Sequence, residues 1–280
     1  DDFNRIETNY ITALGRMAEV EGEAALWQDL RARLFIDPAG LRAKFAASPA
    51  WLQQLMTAWA DGLNCYLAAH PQRQPRLIRR FEPWMALSFT EGSIGGDIER
   101  VSLADLQAFY GEQRLAALPA VERYAEPSGS NGIAIAPANT VDGHALLLIN
   151  PHTSFFFRSE LQMSSAQGLN VYGASTWGQF FVYQGFNDQL GWMHTTSGID
   201  NIDEFSEDIV RREGRLFYRY GKSLRRLRSS AVTLRYRDRD GKITPRSFTV
   251  YRSHHGPIVR EQGGRWIAVA LMNRPIAALE

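Results

Sequence analysis

Residues 129–152 read GSNGIAIAPANTVDGHALLLINPH, and the fold turns on this stretch. After Gly129-Ser130-Asn131 comes an apolar run, Ile133-Ala134-Ile135-Ala136, with the length and composition of a buried strand. Asp142-Gly143 marks a hairpin turn. The return run, Ala145 to Asn150, ends in Pro151-His152. Pairing the two runs antiparallel brings Ser130 and His152 toward one edge of a sheet, although they are far apart in sequence.

A serine hydroxyl is a weak nucleophile until a base takes its proton. For Ser130 that base is a histidine, an aspartate partner or a free α-amino group. An α-amine titrates at roughly 7.7–8.0, close to neutral pH. A cut between Gly129 and Ser130 would place such an amine on the nucleophile itself. Gly129 has no side chain, so its carbonyl is open to the Ser130 hydroxyl. An N→O acyl shift followed by hydrolysis would make that cut without a protease.

These residues resemble the start of the catalytic β chain in the penicillin acylase family of N-terminal nucleophile hydrolases. That family has a Gly-Ser-Asn processing point, an apolar strand, a Thr-x-x-Gly turn and a Leu-Leu-x-Asp-Pro-His motif. Here they read Gly129-Ser130-Asn131, Thr140-Val141-Asp142-Gly143 and Leu147-Leu148-Ile149-Asn150-Pro151-His152, with Asn150 in place of the usual Asp. The resemblance runs from about residue 80 to the end and is densest over 130–205. It implies an α+β fold, the αββα sandwich of two antiparallel sheets, with a helix-rich N-terminal part. It divides the chain into an α-chain-like region (1–118), a linker or spacer peptide (119–129) and the N-terminal part of the β chain (130–280). The opening without Met and the final residues suggest a fragment of a longer enzyme.

By the same resemblance, Ser130 is the nucleophile and His152 orients its amine. Gly129-Ser130 is the autocatalytic cleavage point. In Trp192–Phe205, WMHTTSGIDNIDEF, the family's backbone oxyanion donor falls on Thr196. A second donor, an Asn late in the family's β chain, lies outside this sequence. Met85 and Phe89, in a predicted helix from Glu82 to the glycines at 92–96, match the acyl-pocket residues of the α chain. Thr153 and Phe186 are further substrate-binding candidates, with Phe155 beside them. Asp200, Ile202 and Asp203 match the oxygen ligands of a structural calcium site. The family's additional Glu falls on Gly95, with Asp97 nearby, and an acidic turn between strands is the other reading. The chemistry itself requires no cofactor.

The implied activity is amidohydrolysis of small N-acyl compounds such as penicillins or acyl-homoserine lactones, through an acyl-enzyme. The implied partner is the remaining β-chain polypeptide, joined in an α/β heterodimer, and the implied location is periplasmic or secreted. The alternative is a catalytically silent acylase-fold binding module, or an unprocessed precursor. A conventional serine hydrolase would carry a G-x-S-x-G elbow, which this sequence lacks.

Composition narrows the classes further. The 280 residues carry a formal net charge of +1 and are 45% hydrophobic, enough for a large core and unlike a basic nucleic-acid binder. No apolar run reaches about 18 residues, so no membrane-spanning helix is expected. One cysteine, Cys65, cannot form an internal disulfide.

Elsewhere the periodicity is local. Trp27, Leu30 and Leu34, then Trp51, Leu52, Leu55, Met56 and Trp59, recur at helical spacing and read as core faces. Pro38-Ala39-Gly40 reads as the break between them, and Ser48-Pro49 as the start of the second helix with Pro in its first turn. His70-Pro71 and Pro75 mark a linker. Ser102 caps a helix running to about Leu118. Val232, Leu234 and Tyr236 alternate with polar residues in a half-buried strand, turned around Asp240-Gly241. His254-His255 reads as structural.

Overall fold

The computed structural model describes residues 2–89, 98–111, 129–152, 158–195 and 202–271. Contacts divide the chain into two compact units, residues 1–6 with 120–199 and residues 7–119 with 200–280. The content is mixed: helices early, antiparallel sheets after them.

The helices are α1 (Phe3–Ala13), α2 (Ala18–Glu21), α3 (Leu26–Phe35), α4 (Pro38–Ala47), α5 (Ala50–Ala69) and α6 (Leu103–Tyr110). Trp27, Leu30 and Leu34 are buried along α3, as their spacing predicts. Pro38-Ala39-Gly40 does not break the helical region but opens α4. Asp37 is the N-cap, its carboxylate accepting from the Ala39 and Gly40 N–H groups, and Pro38 needs no donor at N1. Pro49 is the N-cap of α5 rather than part of its first turn. On α5 the buried residues are Met56, Ala60 and Leu63, whereas Trp51 and Leu55 are exposed. The inward face is therefore narrower than the aromatic stripe suggests.

Two buried carboxylates hold this helical part. Glu7 accepts from the backbone N–H groups of Arg76, Leu77 and Ile78 at 2.9, 2.7 and 2.8 Å. The segment after Pro75 is thereby tied to α1 and is no free linker. Asp29 accepts from Met17 and Ala18 N–H at 2.8 and 2.7 Å, satisfying orphan donors at the start of α2. Burial pushes the Asp29 carboxyl up to about 6, against the opposing pull of those two hydrogen bonds.

Among the described residues fourteen strands follow. In the first unit, β1 (Ser130–Ile135) pairs with β2 (Leu146–Pro151). Beside this hairpin is a sheet in the order β3 (Arg158–Ser164), β4 (Asn170–Thr176), β5 (Gln184–Phe186) and β6 (Gly191–Trp192). Gly173 and Gly185 face each other across β4 and β5. A Cβ at Gly173 would lie 2.1 Å from the Gln184 carbonyl oxygen, so the close pairing excludes any side chain there.

The second unit holds β7 (Ile202–Glu207), β8 (Ile209–Arg212), β9 (Arg215–Tyr220), β10 (Ser223–Arg226), β11 (Arg228–Arg237), β12 (Ile243–Arg252), β13 (Ile258–Gln262) and β14 (Arg265–Leu271). They form an antiparallel β8-β9-β10 sheet, the β11-β12 hairpin and a β13-β14-β7 sheet. The β11-β12 turn falls at Asp238–Lys242, with Gly241 at φ 80°. Leu234, Phe248 and Val250 are buried, while Thr233, Arg235, Ser247 and Thr249 beside them face solvent. α2 and α3 cover this hairpin, with Trp27 edge-on to Phe248. A second cluster joins Tyr218, Leu227, Ile258 and Ala268, packed by Phe109, Phe205, Tyr251 and Trp266.

α6 ends at Tyr110, short of the predicted Leu118; the Ser102 hydroxyl accepts from Asp105 N–H as the cap requires. His254 and His255 are held in place: the first bonds to the Tyr218 hydroxyl and the second to Glu207, each at 2.8 Å.

Candidate active site

The β1-β2 pairing puts Ser130 opposite Pro151, one residue before His152. Ten residues, not a tight two-residue turn, connect the strands: a 3-10 turn at Pro137–Asn139, then bends to Gly143, whose φ is 74°. The register delivers Ser130 and His152 to one end of the hairpin. The His152 main-chain N–H donates to Ser130 Oγ at 3.3 Å, and Ser130 Oγ donates to the Gly129 carbonyl oxygen at 2.6 Å. Gly129 has φ 109°, a conformation open to glycine and strained for other residues.

The His152 ring points elsewhere. Its Nε2 is 2.6 Å from Asn150 Oδ1 and 3.2 Å from Asn131 Nδ2. The main-chain N–H, not the imidazole, reaches the serine hydroxyl. Asn150 therefore touches the ring of His152, a role that the sequence motif alone does not reveal.

The IAIA run is not buried in this chain. Ile133 is 56% exposed and Leu148 51%, and Ile135, Leu146 and Leu147 are exposed as well. Such an apolar hairpin is expected only where something covers it.

The other predicted residues belong partly to each compact unit, and several lie outside the described residues. Met85 is buried, in a 3-10 turn from Pro83 to Ser88 and not in the predicted α-helix; its sulfur accepts from Glu82 N–H at 3.5 Å. Phe89 ends that turn in extended conformation and stands edge-on to Tyr10 at 4.9 Å. Pro83 at the first position and an extended residue at 89 leave too few residues for an α-helical face. Phe186 is exposed at the β5-β6 turn, tilted against Tyr172. Thr153, Phe155 and Thr196 lie outside the described residues, as do Gly95, Asp97, Asp200 and the spacer residues 119–128. Ile202 and Asp203 are on β7, where Asp203 is exposed opposite Ala270. Among the described residues no three His, Cys, Asp or Glu side chains converge.

Two residues near the predicted donor segment were not singled out by the sequence. Gln184, buried on β5, donates its amide to the His194 carbonyl oxygen at 2.8 Å. The His194 ring stands edge-on to Tyr183 at 3.9 Å. Burial, helped by the nearby Arg158 cation, lowers the His194 pKa and keeps the ring neutral.

A sequence model described as penicillin amidase matches residues 1–279. The chain belongs to the penicillin amidase family. An acyl-homoserine lactone acylase PvdQ from Pseudomonas fluorescens (strain Pf0-1) is 27% identical over 249 residues, covering 81% of this chain and 32% of that protein. The protein of the same name from Pseudomonas putida is 26% identical over 277 residues, covering 91% of this chain and 35% of the relative. The chain thus spans about a third of the length of these curated relatives. A thermostable penicillin G acylase from Alcaligenes faecalis matches over 41% of this chain and 20% of its own, at 21% identity and a TM-score of 0.34.

Proposed function

We propose that this polypeptide carries the nucleophile of an amidohydrolase that cleaves small N-acyl amides, such as acyl-homoserine lactones or penicillins. The reading rests above all on Ser130 Oγ, held between the Gly129 carbonyl oxygen and the His152 N–H. Maturation would begin with attack of Oγ on the Gly129 carbonyl carbon. The hydroxyl proton passes to the Ser130 nitrogen as the C–N bond breaks, which frees the α-amine and leaves Gly129 joined to Oγ as an ester; water then hydrolyses that ester to the Gly129 carboxylate and the Ser130 hydroxyl. The positive φ of Gly129 gives the scissile residue a shape that a side chain would oppose.

In the mature enzyme the freed amine, acting through a water, takes the hydroxyl proton as Oγ attacks the substrate amide. The resulting oxyanion would be stabilised by the Thr196 N–H and by an Asn of the remaining β chain. Collapse expels the amine, which takes the proton back, and leaves an acyl-serine ester. Water then attacks the ester, passes its proton to the α-amine and releases the acid. His152 serves through its main-chain N–H, which orients Oγ.

By family resemblance, Met85, Phe89, Thr153 and Phe186 contact the acyl group. Asp200, Ile202 and Asp203 would hold a calcium ion whose role is structural, and no step of the chemistry runs through it. The αββα sandwich would be completed by the rest of the β chain. The exposed apolar hairpin and the greater length of the relatives support that partner. The family resemblance also supports export to the periplasm or medium. Among the described residues no helix is long and apolar enough to cross a membrane.

Mass spectrometry and stepwise sequencing of the full-length product test the reading. A new chain beginning Ser-Asn-Gly-Ile is expected, and Ser130→Ala should abolish both the cut and hydrolysis, by at least about a thousandfold. An uncut chain without amidase activity would instead favour the silent module or precursor. A panel of p-nitroanilides carrying aromatic acetyl and aliphatic acyl groups would then rank the acyl preference.

A further inference from the structure

We propose that Gln184 and Met193 are positioning residues that tie residues 194 and 193 to β5 and to the strand bearing Ser130 respectively, and so set the nucleophile's spacing to the oxyanion segment. This rests on the assignment of Ser130 as nucleophile and of the following segment as oxyanion donor.

The β5-β6 ladder is short. It pairs Phe186 with Gly191 and Gly185 with Trp192, and stops there. Side chains continue it. Trp192 Nε1 donates to the Val182 carbonyl at 3.2 Å, and Gln184 Nε2 donates to the His194 carbonyl at 2.8 Å. Gln184 is 1% exposed, and its Oε1 has no partner among the described residues. A buried amide with one end unsatisfied is unfavourable as packing. Its amide nitrogen explains the residue: it grips the main chain where the ladder has ended.

The second grip is on the hairpin. A Cβ at Gly132 would lie 2.0 Å from Met193 Sδ, and one at Gly191 would lie 2.1 Å from Leu147 Cδ2. The two contacts are reciprocal: the β1-β2 hairpin and the 191–193 segment each press a side chain onto a glycine of the other. Alternation puts Gly132 on the same face of β1 as Ser130. Residues 191–193 therefore cross the hairpin on the face where the nucleophile stands, with Met193 seated two residues from it. An ordinary side chain at 132 would displace Met193. A displacement of about 1 Å between reacting groups is enough to slow catalysis by about a hundredfold.

The test uses the full-length enzyme, with kcat and KM measured on an N-acyl p-nitroanilide. Gln184→Met removes the amide at similar volume, and Gly132→Val drives Met193 aside. Both are expected to lower kcat about tenfold with KM changed less than about twofold. Met193→Ala added to Gly132→Val reopens the space and should recover most of the loss. If Gln184→Met fails to mature, the Gly132 and Met193 pair reads the same coupling. Unchanged kcat in the single variants, or a fall in melting temperature with kcat intact, or no rescue in the double variant, overturns the proposal. Those results beside an inactive Ser130→Ala overturn it alone. An active Ser130→Ala overturns the nucleophile assignment and this inference together.

Discussion

Two hairpins in this chain have opposite surfaces. In β11-β12, Leu234 is 2% exposed, and Phe248 and Val250 are buried with it. In β1-β2, most of the apolar residues face solvent, although the sequence is the more hydrophobic of the two. The first alternates apolar with polar residues and needs cover on one face only, which α2 and α3 supply. The second is apolar on successive residues, so both faces call for cover. An apolar run thus states how much burial a strand requires, and not whether its own chain provides it.

The comparison can be broken most directly by truncating one leucine in each hairpin. In the 280-residue chain, Leu234→Ala should cost about 2–5 kcal/mol by urea unfolding. Leu148→Ala should stay within about 0.5 kcal/mol. In a longer polypeptide carrying the remaining β chain proposed above, the Leu148 value should rise toward that of Leu234. Equal values in the two lengths would mean that nothing further covers β1-β2.

Asp29 sharpens the same contrast from the covered side, since it anchors α2, which packs on β11. Its folded pKa, about 6, lies above the ordinary carboxylate value. The stability it contributes is therefore full below about pH 4 and is lost as pH rises through 6. Between pH 4 and 7 the wild type should lose about 2–3 kcal/mol relative to Asp29→Asn. Parallel stability curves for the two proteins would remove this explanation.

The smallest effect concerns the rim of the covered hairpin. Arg246 on β12 meets Glu23 at 2.6 Å, with both side chains partly exposed. Arg246→Gln should cost less than about 1 kcal/mol, and added salt should shrink the difference. A larger, salt-independent loss would show that Arg246 acts through packing against Tyr236 instead.

What could be read from residues alone was local and periodic. The strands around Ser130 and His152, the β11-β12 alternation and the cap at Ser102 follow from spacing and turn chemistry over a few residues. The family motif lies in the same short range and is legible in the sequence for the same reason. The start of α4 at Pro38 and the 3-10 turn at Met85 are set locally, by the Asp37 cap and by Pro83 with an extended Phe89, whereas the exposure of Trp51 and Leu55 was not legible, because neighbours distant in sequence decide it. The contacts of Gln184 with His194 and of Met193 with Gly132 belong to the same class. A glycine in a sequence shows only that a side chain is missing. The packed chain shows which atom fills the space, and whether the Ser130 hydroxyl meets an imidazole or a main-chain N–H.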